Sequence, residues 1–353
     1  MARFNIKNVA VRGVAAAVPD RKVHTTDFSF FSPEDAEIFI KTVGIEERYM
    51  ASETQCASDL CFYAAEKLIG DLNWNKHDIG ILLFESVTAD YRTPPTSCIL
   101  QDRLGLSSGC FTMDMPMGCC GAMYAMTVAG KMMTDGSVRK ALLLIGDTIT
   151  RMSSPLDKSR LPLFGDGAVA MALEYDESAS DILVDFSTYG KGYNALITPH
   201  SGFRHPVTPA SFEYEDFGNG VVRAPVHSLI HGMDVFSFAI TKPPKGILEM
   251  LEACQLDKDR DIDYFLIHQA NKMIVDRVVK KAKLDPAKVP MNLQNFANCG
   301  GASIPMLMVS ELQTELQTRS QSLLLSSFGL GLTWGTMYLK TSPMVIPDLL
   351  KIK

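Results

Sequence analysis

The chain has 353 residues, of which 46% are hydrophobic and 21% are charged, and its formal net charge at pH 7 is −6. This length exceeds what one simple core needs and predicts two domains or two fused halves. The composition is that of an ordinary globular protein. Because nucleic-acid binding depends on clustered Lys and Arg, an acidic chain without a concentrated basic block is not expected to bind DNA or RNA.

Export signals and membrane spans are not expected either. Residues 1–7 are interrupted by charge and lack the apolar core of a signal peptide, and no stretch approaches the ~18 apolar residues of a span. In a long chain without an export signal, cysteines are expected as reduced thiols. We therefore expect a cytoplasmic protein without a bound metal, whose eight cysteines are Cys56, Cys61, Cys98, Cys110, Cys119, Cys120, Cys254 and Cys299.

The first half of the chain alternates between predicted strands and helices. Ser32 followed by Pro33 is typical of a helix start, because serine caps the first turn and proline fits it. Nearly continuous apolar runs indicate strands buried on both faces. In chain order we expect a strand over 7–18, helices from Pro33 and over 57–69, a strand over 78–85, a helix after Pro94 and Pro95, and strands over 140–147 and 168–173.

Residues 117–126 bring a cysteine to the start of a predicted helix. Gly118 and Gly121 flank Cys119 and Cys120 and allow another group to approach closely. A cysteine at a helix N-terminus is favoured as the thiolate, the nucleophilic form. Free cysteine more often behaves as a small buried hydrophobe, and this stretch by itself favours that structural interpretation.

The second half repeats the order of the first. After a helical segment over 234–254, the apolar run at 261–268 matches 78–85 and places His268 where Glu85 stood. Residues 322–327 then match 140–147, and Phe328-Gly329-Leu330-Gly331 matches Phe164-Gly165-Asp166-Gly167. The three matches predict a duplicated α/β unit with a mostly parallel sheet in each half. The expected division is 1–178, a connecting region at 179–232, and 233–353.

Three residues are candidates for chemistry at strand ends and helix starts, where active sites of α/β proteins collect. Cys119 opens the cysteine helix, His268 ends a buried strand, and Asn298 lies in the loop at 296–305. A histidine at the tip of an apolar strand needs partners, because an unpaired buried polar group is costly. Considered alone, His268 or Asn298 is better explained as a polar residue with ordinary hydrogen-bond partners than as a catalytic residue.

At this point the sequence resembles the thiolase superfamily, and within it the β-ketoacyl-[acyl-carrier-protein] synthase III group, over nearly the whole chain. The resemblance rests on the cysteine helix, the Phe-Gly-Asp-Gly turn, His-Gln-Ala-Asn at 268–271, the loop containing Asn298, Ala302, Ser303 and Pro305, and Phe-Gly-x-Gly-x-Thr-Trp-Gly at 328–335. It implies an α/β thiolase fold of two duplicated halves in αβαβα layers. It also implies a homodimer.

The resemblance assigns roles to single residues. It implies that Cys119, not Cys120, is the nucleophile, that His268 and Asn298 complete the catalytic set, and that the backbone N–H groups of Cys119 and Leu330 form the oxyanion hole. The implied reaction begins when an acyl-coenzyme A acylates Cys119. A malonyl thioester on an acyl carrier protein then loses carbon dioxide and condenses with the acyl group. Coenzyme A thioester is a substrate here, and no bound cofactor is expected.

The chain departs from the family pattern around the substrate. Met273 stands where the family usually has an arginine near the carrier protein, and no tryptophan lies near Phe39. Lys41 and Lys158 replace arginines common near the coenzyme phosphates, which keeps the charge but loses the bidentate fork. Thr93 lies where a bulky residue often limits the acyl pocket. These changes leave the identities of donor and acceptor open.

The helix after His268 has a basic face outside an apolar stripe. Because acyl carrier proteins are acidic, this face is a candidate docking site, although the sequence alone slightly favours an ordinary solvated helix face. Its basic residues are Lys272, Arg277, Lys280, Lys281 and Lys283. Cys299 is not expected to be catalytic, because the family loop needs only a small residue there.

Two alternatives to the condensing enzyme remain open. One is an acyltransferase of the same fold that passes the acyl group from Cys119 to an oxygen or nitrogen nucleophile. The other is a catalytically silent partner subunit, although such subunits usually lose the nucleophile. Acylation of Cys119 and malonyl-dependent release of carbon dioxide separate these functions.

Overall fold

The computed structural model describes residues 2–353 and contains two central sheets with helices between and outside them. The strands are β1 (Ala2–Ile6), β2 (Val9–Pro19), β3 (Lys22–His24), β4 (Glu47–Tyr49), β5 (Ile81–Glu85), β6 (Phe111–Met115), β7 (Lys140–Asp147), β8 (Gly167–Tyr175), β9 (Ile182–Thr188), β10 (Leu196–Ile197), β11 (Glu215–Asp216), β12 (Val222–Arg223), β13 (Leu229–Ile230), β14 (Tyr264–Ile267), β15 (Ser322–Gly329), β16 (Thr333–Lys340) and β17 (Leu350–Ile352). The helices are α1 (Pro33–Val43), α2 (Ala57–Asp71), α3 (Thr96–Arg103), α4 (Gly121–Met133), α5 (Gly232–Ala239), α6 (Lys242–Ala253), α7 (Lys272–Ala282), α8 (Leu293–Phe296), α9 (Ser303–Glu311) and α10 (Gln313–Thr318).

The two sheets confirm the predicted duplication. The first sheet has the strand order β17-β2-β8-β7-β5-β6, and the second has β1-β9-β16-β15-β14. In the first sheet, β5 and β7 are parallel, whereas β7 is antiparallel to β8 and β8 is antiparallel to β2. The second sheet repeats this order. There β14 and β15 are parallel, whereas β15 is antiparallel to β16 and β16 is antiparallel to β9. The matched runs at 78–85 and 261–268 therefore occupy equivalent places.

Two details of the expected organisation need correction. The second sheet is mostly antiparallel rather than parallel, since only β14 and β15 pair in parallel there. The sheets also cross the expected boundaries at 178 and 233. The N-terminal strand β1 joins the second sheet through β9, which lies in the expected connecting region, and β17 joins the first sheet beside β2. Each half is completed by an edge strand that the opposite end of the chain supplies.

The layers follow from strands that are apolar on both faces. In β7, Ala141, Leu143 and Ile145 face the core between the sheets, while Leu142 and Leu144 face the outer layer. Helices α4 and α9 pack between the two sheets, α2 covers the outer face of the first, and α6 covers the outer face of the second. This is the expected αβαβα arrangement.

The helical segment expected at 234–254 is split into α5 and α6. Thr241 precedes Lys242, Pro243 and Pro244, which form the first turn of α6. Proline lacks an N–H and fits only the first turn of a helix, so the second helix has to start there. No helix within residues 2–353 has both the length and the apolar character needed to cross a membrane.

Replacing Leu143 by alanine tests the importance of the central layer. Leu143 is fully buried in β7 between the sheets, so Leu143→Ala should lower the free energy of unfolding by about 2–5 kcal/mol. Leu248→Ala on α6 is the control, because Leu248 is 45% exposed and should change stability by no more than about 0.5 kcal/mol. Chemical denaturation measures both variants, and equal effects would contradict this layer assignment.

Candidate active site

A cavity of about 390 Å³ lies where the ends of the two sheets meet, and Cys119, His268 and Asn298 all line it. The three residues come from separate parts of the chain. Cys119 precedes α4, His268 follows β14, and Asn298 lies between α8 and α9. The structure therefore brings together the three residues that the sequence analysis expected to be catalytic.

Cys119 lies in a tight turn over residues Gly118–Cys120 that leads into α4. The end of β15 presses against this turn: a side chain on Gly329 would place its Cβ 2.8 Å from the Cys119 Sγ. The Ser327 hydroxyl donates a hydrogen bond of 2.6 Å to the Cys119 carbonyl. Gly118 adopts φ +57°, a conformation that favours glycine. The nucleophile turn is thus held by residues from the second half.

The helix start favours the Cys119 thiolate, but the surroundings of the thiol act in the opposite direction. Burial raises the pKa of the Cys119 thiol well above its ordinary value, and Cys120, Asp147 and Glu85 raise it further. Desolvation penalises a lone sulfur anion more than the helix terminus stabilises it. The raised pKa favours the thiol, so a nearby base would assist a reaction of the Cys119 sulfur.

His268 is a suitable base because it is uncharged. It is 1% exposed, and burial lowers its pKa from 6.5 to about 3. Its ring packs edge-on against Phe328, with ring centroids 5.3 Å apart. The Nδ1 atom lies 2.6 Å from the Ser303 hydroxyl, and Nε2 has no hydrogen-bond partner among residues 2–353. A neutral imidazole can accept a proton or donate one through Nε2, depending on its tautomer.

Ser303 permits both tautomers of His268. A hydroxyl can donate a hydrogen bond to a bare Nδ1 or accept one from Nδ1–H. In the first case Nε2 carries the proton and is a donor, and in the second Nε2 is free to accept. The sequence analysis quoted Ser303 only as part of a motif. Its role becomes visible only when the start of α9 packs beneath the histidine.

Asn298 is oriented by its own loop. The Gly300 N–H donates a 3.0 Å hydrogen bond to the Asn298 Oδ1, which identifies the oxygen and leaves Nδ2 as a free donor at a residue that lines the cavity. The preceding residue, Ala297, has φ +56°, a strained conformation for alanine. Such strain persists only where neighbouring contacts fix the backbone.

Those contacts come from the Phe-Gly-Asp-Gly turn. The Asn298 N–H donates to the Leu163 carbonyl (3.1 Å), and the Gly165 N–H donates to the Asn298 carbonyl (3.2 Å). Gly165 has to be glycine because a Cβ there would lie 2.3 Å from the Phe296 carbonyl oxygen. Asp166 accepts hydrogen bonds from Ala51 and Thr150 and anchors the turn. The motif is thus the support of the Asn298 loop.

Cys120 and Cys299 do not line the cavity. The Cys120 thiol lies 3.7 Å from the Thr333 carbonyl, and the Cys299 thiol lies 3.3 Å from the Phe296 carbonyl. Both side chains are buried, and burial raises the pKa of each thiol. This agrees with the expectation that Cys299 has no catalytic role. All eight cysteines are free.

The expected substrate-contact residues lie outside the cavity lining. Lys41 is exposed and faces Lys272 across a second, neighbouring cavity. Lys158 is partly buried and packs against Gly220, whose Cβ would lie 2.7 Å from the Lys158 Cδ. Thr93 is exposed and does not contribute to the cavity wall. The single chain therefore does not place these three residues at Cys119.

Helix α7 joins the cavity to the basic surface. Asn271, Met273 and Ile274, at its N-terminal end, line the cavity. Along the rest of the helix, the residues of the predicted basic face are exposed, namely Arg277, Lys280, Lys281 and Lys283. Lys272 differs, because its ammonium pairs with Asp276 at 2.5 Å.

The cavity wall includes a segment whose role the sequence analysis missed. Residues 179–232 were expected only to connect the halves, but Leu196 and Ile230, paired between β10 and β13, line the cavity. Met233 and Phe236, at the start of α5, continue this apolar wall. No sequence pattern indicated it, because strands of two residues carry no periodic signal.

Comparison with known proteins identifies the family. The model of the 3-oxoacyl-[acyl-carrier-protein] synthase III family matches residues 113–192, and the model of its C-terminal part matches residues 251–341. A β-ketoacyl-[acyl-carrier-protein] synthase III of Rhodopirellula baltica is 30% identical over 351 residues, which covers 94% of this chain and 98% of the relative. One of Streptococcus pneumoniae is 30% identical, covering 92% and 97%.

The chain belongs to the β-ketoacyl-[acyl-carrier-protein] synthase III family. The fold agrees: a 3-oxoacyl-(acyl-carrier protein) synthase of Burkholderia xenovorans superposes with a TM-score of 0.93 at 32% identity and 99% coverage of both chains. The chain is therefore a condensing enzyme of the acyltransferase type with the thiolase fold.

Replacing Gly329 by alanine tests the contact that holds the nucleophile. The added Cβ would collide with Cys119, so Gly329→Ala should slow alkylation of Cys119 by iodoacetamide at least tenfold. Gly70→Ala on α2 is the matched control, because a Cβ there meets nothing within 4 Å. Peptide mass spectrometry at Cys119 gives the rates, and an unchanged rate in Gly329→Ala would refute the contact.

The depressed pKa of His268 predicts a pH effect on stability. The unfolded chain binds this proton near pH 6.5 and the folded chain only near pH 3, so the folded state loses stability as pH falls through this window and keeps it above. In ¹⁵N-histidine NMR, the His268 ring should stay neutral between about pH 5 and 8. Unfolding in urea should restore its titration, and a folded ring that titrates near neutrality would contradict the prediction.

Proposed function

We propose that the chain is a 3-oxoacyl-[acyl-carrier-protein] synthase III-like enzyme in which an acyl-coenzyme A acylates Cys119 and a malonyl thioester then condenses with that acyl group. One observation carries the proposal: Cys119, a neutral His268 and an oriented Asn298 line one cavity. Of these, Cys119 supplies the nucleophile, while His268 and Asn298 supply uncharged hydrogen-bonding groups. The similarity to 3-oxoacyl-[acyl-carrier-protein] synthases supports a condensing reaction of this kind.

In the first half-reaction, His268 is the base. As the Cys119 sulfur attacks the acyl carbonyl, its proton moves to Nε2 and a carbon–sulfur bond forms. The negative oxygen of the tetrahedral intermediate accepts hydrogen bonds from the backbone N–H groups of Cys119 and Leu330. The bond to coenzyme A then breaks, and the departing sulfur takes the proton back from His268. Cys119 is left as a neutral thioester.

In the second half-reaction, His268 is a hydrogen-bond donor. The malonyl thioester loses carbon dioxide, and the electrons of the broken bond form an enolate. Nε2–H of His268 and Nδ2 of Asn298 donate to the enolate oxygen and stabilise it. The carbanion attacks the acyl carbon, the 3-oxoacyl thioester forms, and Cys119 leaves as a thiolate that takes a proton from water. Asn298 suits this step because an amide donates without titrating.

The surfaces around the cavity suggest how the substrates bind. The apolar wall of Leu196, Ile230 and Phe236 fits an acyl or pantetheine chain. The exposed basic face of α7 beside the cavity fits an acidic carrier protein such as malonyl-acyl carrier protein. We further propose a homodimer, a cytoplasmic location and no bound cofactor beyond the coenzyme A thioester substrate. Lys41, Lys158 and Thr93 remain candidates for substrate contacts in that assembly.

Intact-mass measurement after incubation with a panel of acyl-coenzyme A thioesters tests the first half-reaction. The wild type should gain one acyl group, Cys119→Ala should gain none, and Cys98→Ala should behave as the wild type because Cys98 is an exposed cysteine away from the cavity. Failure of every acyl donor, on coenzyme A or on carrier protein, would favour a silent partner subunit.

The second half-reaction is measured with pre-acylated enzyme. Adding a malonyl thioester, on carrier protein or on coenzyme A, should release carbon dioxide and a 3-oxoacyl product. Asn298→Ala should lower this rate roughly 100-fold, because it removes one donor to the enolate, yet leave acylation near normal. Acyl transfer to an alcohol or amine without release of carbon dioxide would instead identify the acyltransferase alternative.

A further inference from the structure

A buried acid that the reaction does not use lies beneath the nucleophile. Glu85 is the last residue of β5 and is 0% exposed. In the duplicated fold it is the counterpart of His268, which follows the equivalent strand β14. Unlike His268, it does not line the cavity. Its side chain can therefore affect the cavity only through the loops that it contacts.

Two glycines make room for this carboxyl group. A Cβ on Gly121, the first residue of α4, would lie 1.9 Å from the Glu85 Cδ, and a Cβ on Gly301 would lie 2.2 Å from its Oε2. Gly121 has the ordinary helical φ of −59°, and Gly301 has no positive φ. Neither position needs glycine for its backbone conformation. Both need it for space, so the carboxyl is wedged between the Cys119 turn and the Asn298 loop.

The surroundings of Glu85 disfavour a negative charge. Burial raises the pKa of Glu85 well above its ordinary value, and Asp147 on the adjacent strand β7 raises it further. The N–H groups of Gly118 and Met117 act in the opposite direction, but neither makes a hydrogen bond of normal geometry with the carboxyl oxygens. The other titratable groups near it are all acids, namely Cys61, Cys119 and Cys120.

A backbone carbonyl of the Cys119 turn and the Glu85 carboxyl both lie next to Gly301. A Cβ built on Gly301 would lie 2.2 Å from the Glu85 Oε2. The same Cβ would lie 2.9 Å from the Gly118 carbonyl oxygen. This carbonyl belongs to the turn that carries Cys119, and Gly301 belongs to the loop that carries Asn298. The carboxyl oxygens have no hydrogen-bond partner as they stand, and an uncharged carboxyl has a proton to donate to such a carbonyl.

We propose that Glu85 is a positioning residue: as an uncharged carboxylic acid wedged between the Cys119 turn and the Asn298 loop, it donates a hydrogen bond to the turn and holds the two loops in register. The proposal rests on the function proposed above only in taking Cys119 as the nucleophile. Glu85 touches neither substrate nor reacting atoms. Its contribution is the placement of the sulfur relative to the amide of Asn298.

Two variants distinguish the effect of a hydrogen-bond donor at position 85 from the effect of a negative charge there. Glu85→Gln keeps the size and a hydrogen-bond donor without a titratable group, and Glu85→Met keeps the approximate size without a donor. In Glu85→Gln, alkylation of Cys119 by iodoacetamide should follow the wild-type pH profile within about twofold, because a neutral acid is replaced by a neutral amide. In Glu85→Met the rate should fall roughly tenfold, as expected for loss of one buried hydrogen bond.

Steady-state kinetics should show the same pattern. Glu85→Met should lower kcat for condensation with little change in KM, and Glu85→Gln should restore it. A Glu85→Gln variant as slow as Glu85→Met, or with its alkylation profile moved to lower pH, would overturn the proposal, because the wild-type carboxyl would then be charged. Wild-type rates in Glu85→Met would overturn it as well.

Infrared difference spectroscopy tests the protonation of Glu85 without the Glu85→Met variant, so poor folding of that variant does not affect it. The wild-type spectrum minus that of Glu85→Gln at neutral pH should contain the carbonyl band of a protonated carboxylic acid, and a carboxylate band in its place would refute the proposal. Alkylation and infrared spectra need no acyl substrate. Normal results there combined with absent acylation would count against the proposed function and not against the role of Glu85.

Discussion

The contact between the Cys119 turn of the first half and the end of β15 in the second is the constraint on which the site depends. Ser327 holds the carbonyl of Cys119, and Gly329 lets the strand approach the sulfur to a distance that any side chain would prevent. The same approach brings His268 and Asn298, both from the second half, to the nucleophile. A duplicated fold needs such a junction, because neither half contains the complete set of catalytic residues.

Burial at this junction shifts the pKa values of the residues that meet there. The pKa of Cys119 is raised and that of His268 is lowered, which favours the uncharged form of both side chains. In the mechanism proposed above, charge appears only during reaction, as an oxyanion or an enolate, next to N–H groups that donate to it. Uncharged donors in a low-dielectric site stabilise such transient charge more effectively than donors in water do. A permanent thiolate would instead have to be stabilised against desolvation at all times.

The residues beneath the cavity and the residues around its rim differ in how closely they are packed. Beneath the cavity, contacts are close enough that single atoms matter, as at Gly165 against Phe296 and Gly301 against Glu85. Around the rim, Met273 and the lysines Lys41, Lys280, Lys281 and Lys283 are exposed. The chemistry of the family can therefore be retained while the surface that meets the substrates diverges, which is the pattern that this chain shows.

The sequence by itself determined the duplicated α/β order, the main strands and helices, and the residues Cys119, His268 and Asn298. It could do so because buried strands leave continuous apolar runs, and because the glycine and proline positions around these residues form specific motifs. Only the tertiary structure decided the exchange of edge strands, the mostly antiparallel second sheet, the raised pKa of Cys119, the apolar wall from residues 179–232, and the places of Ser303 and Glu85. These depend on contacts between residues far apart in the chain, and the desolvation that sets a pKa exists only once both halves have packed together.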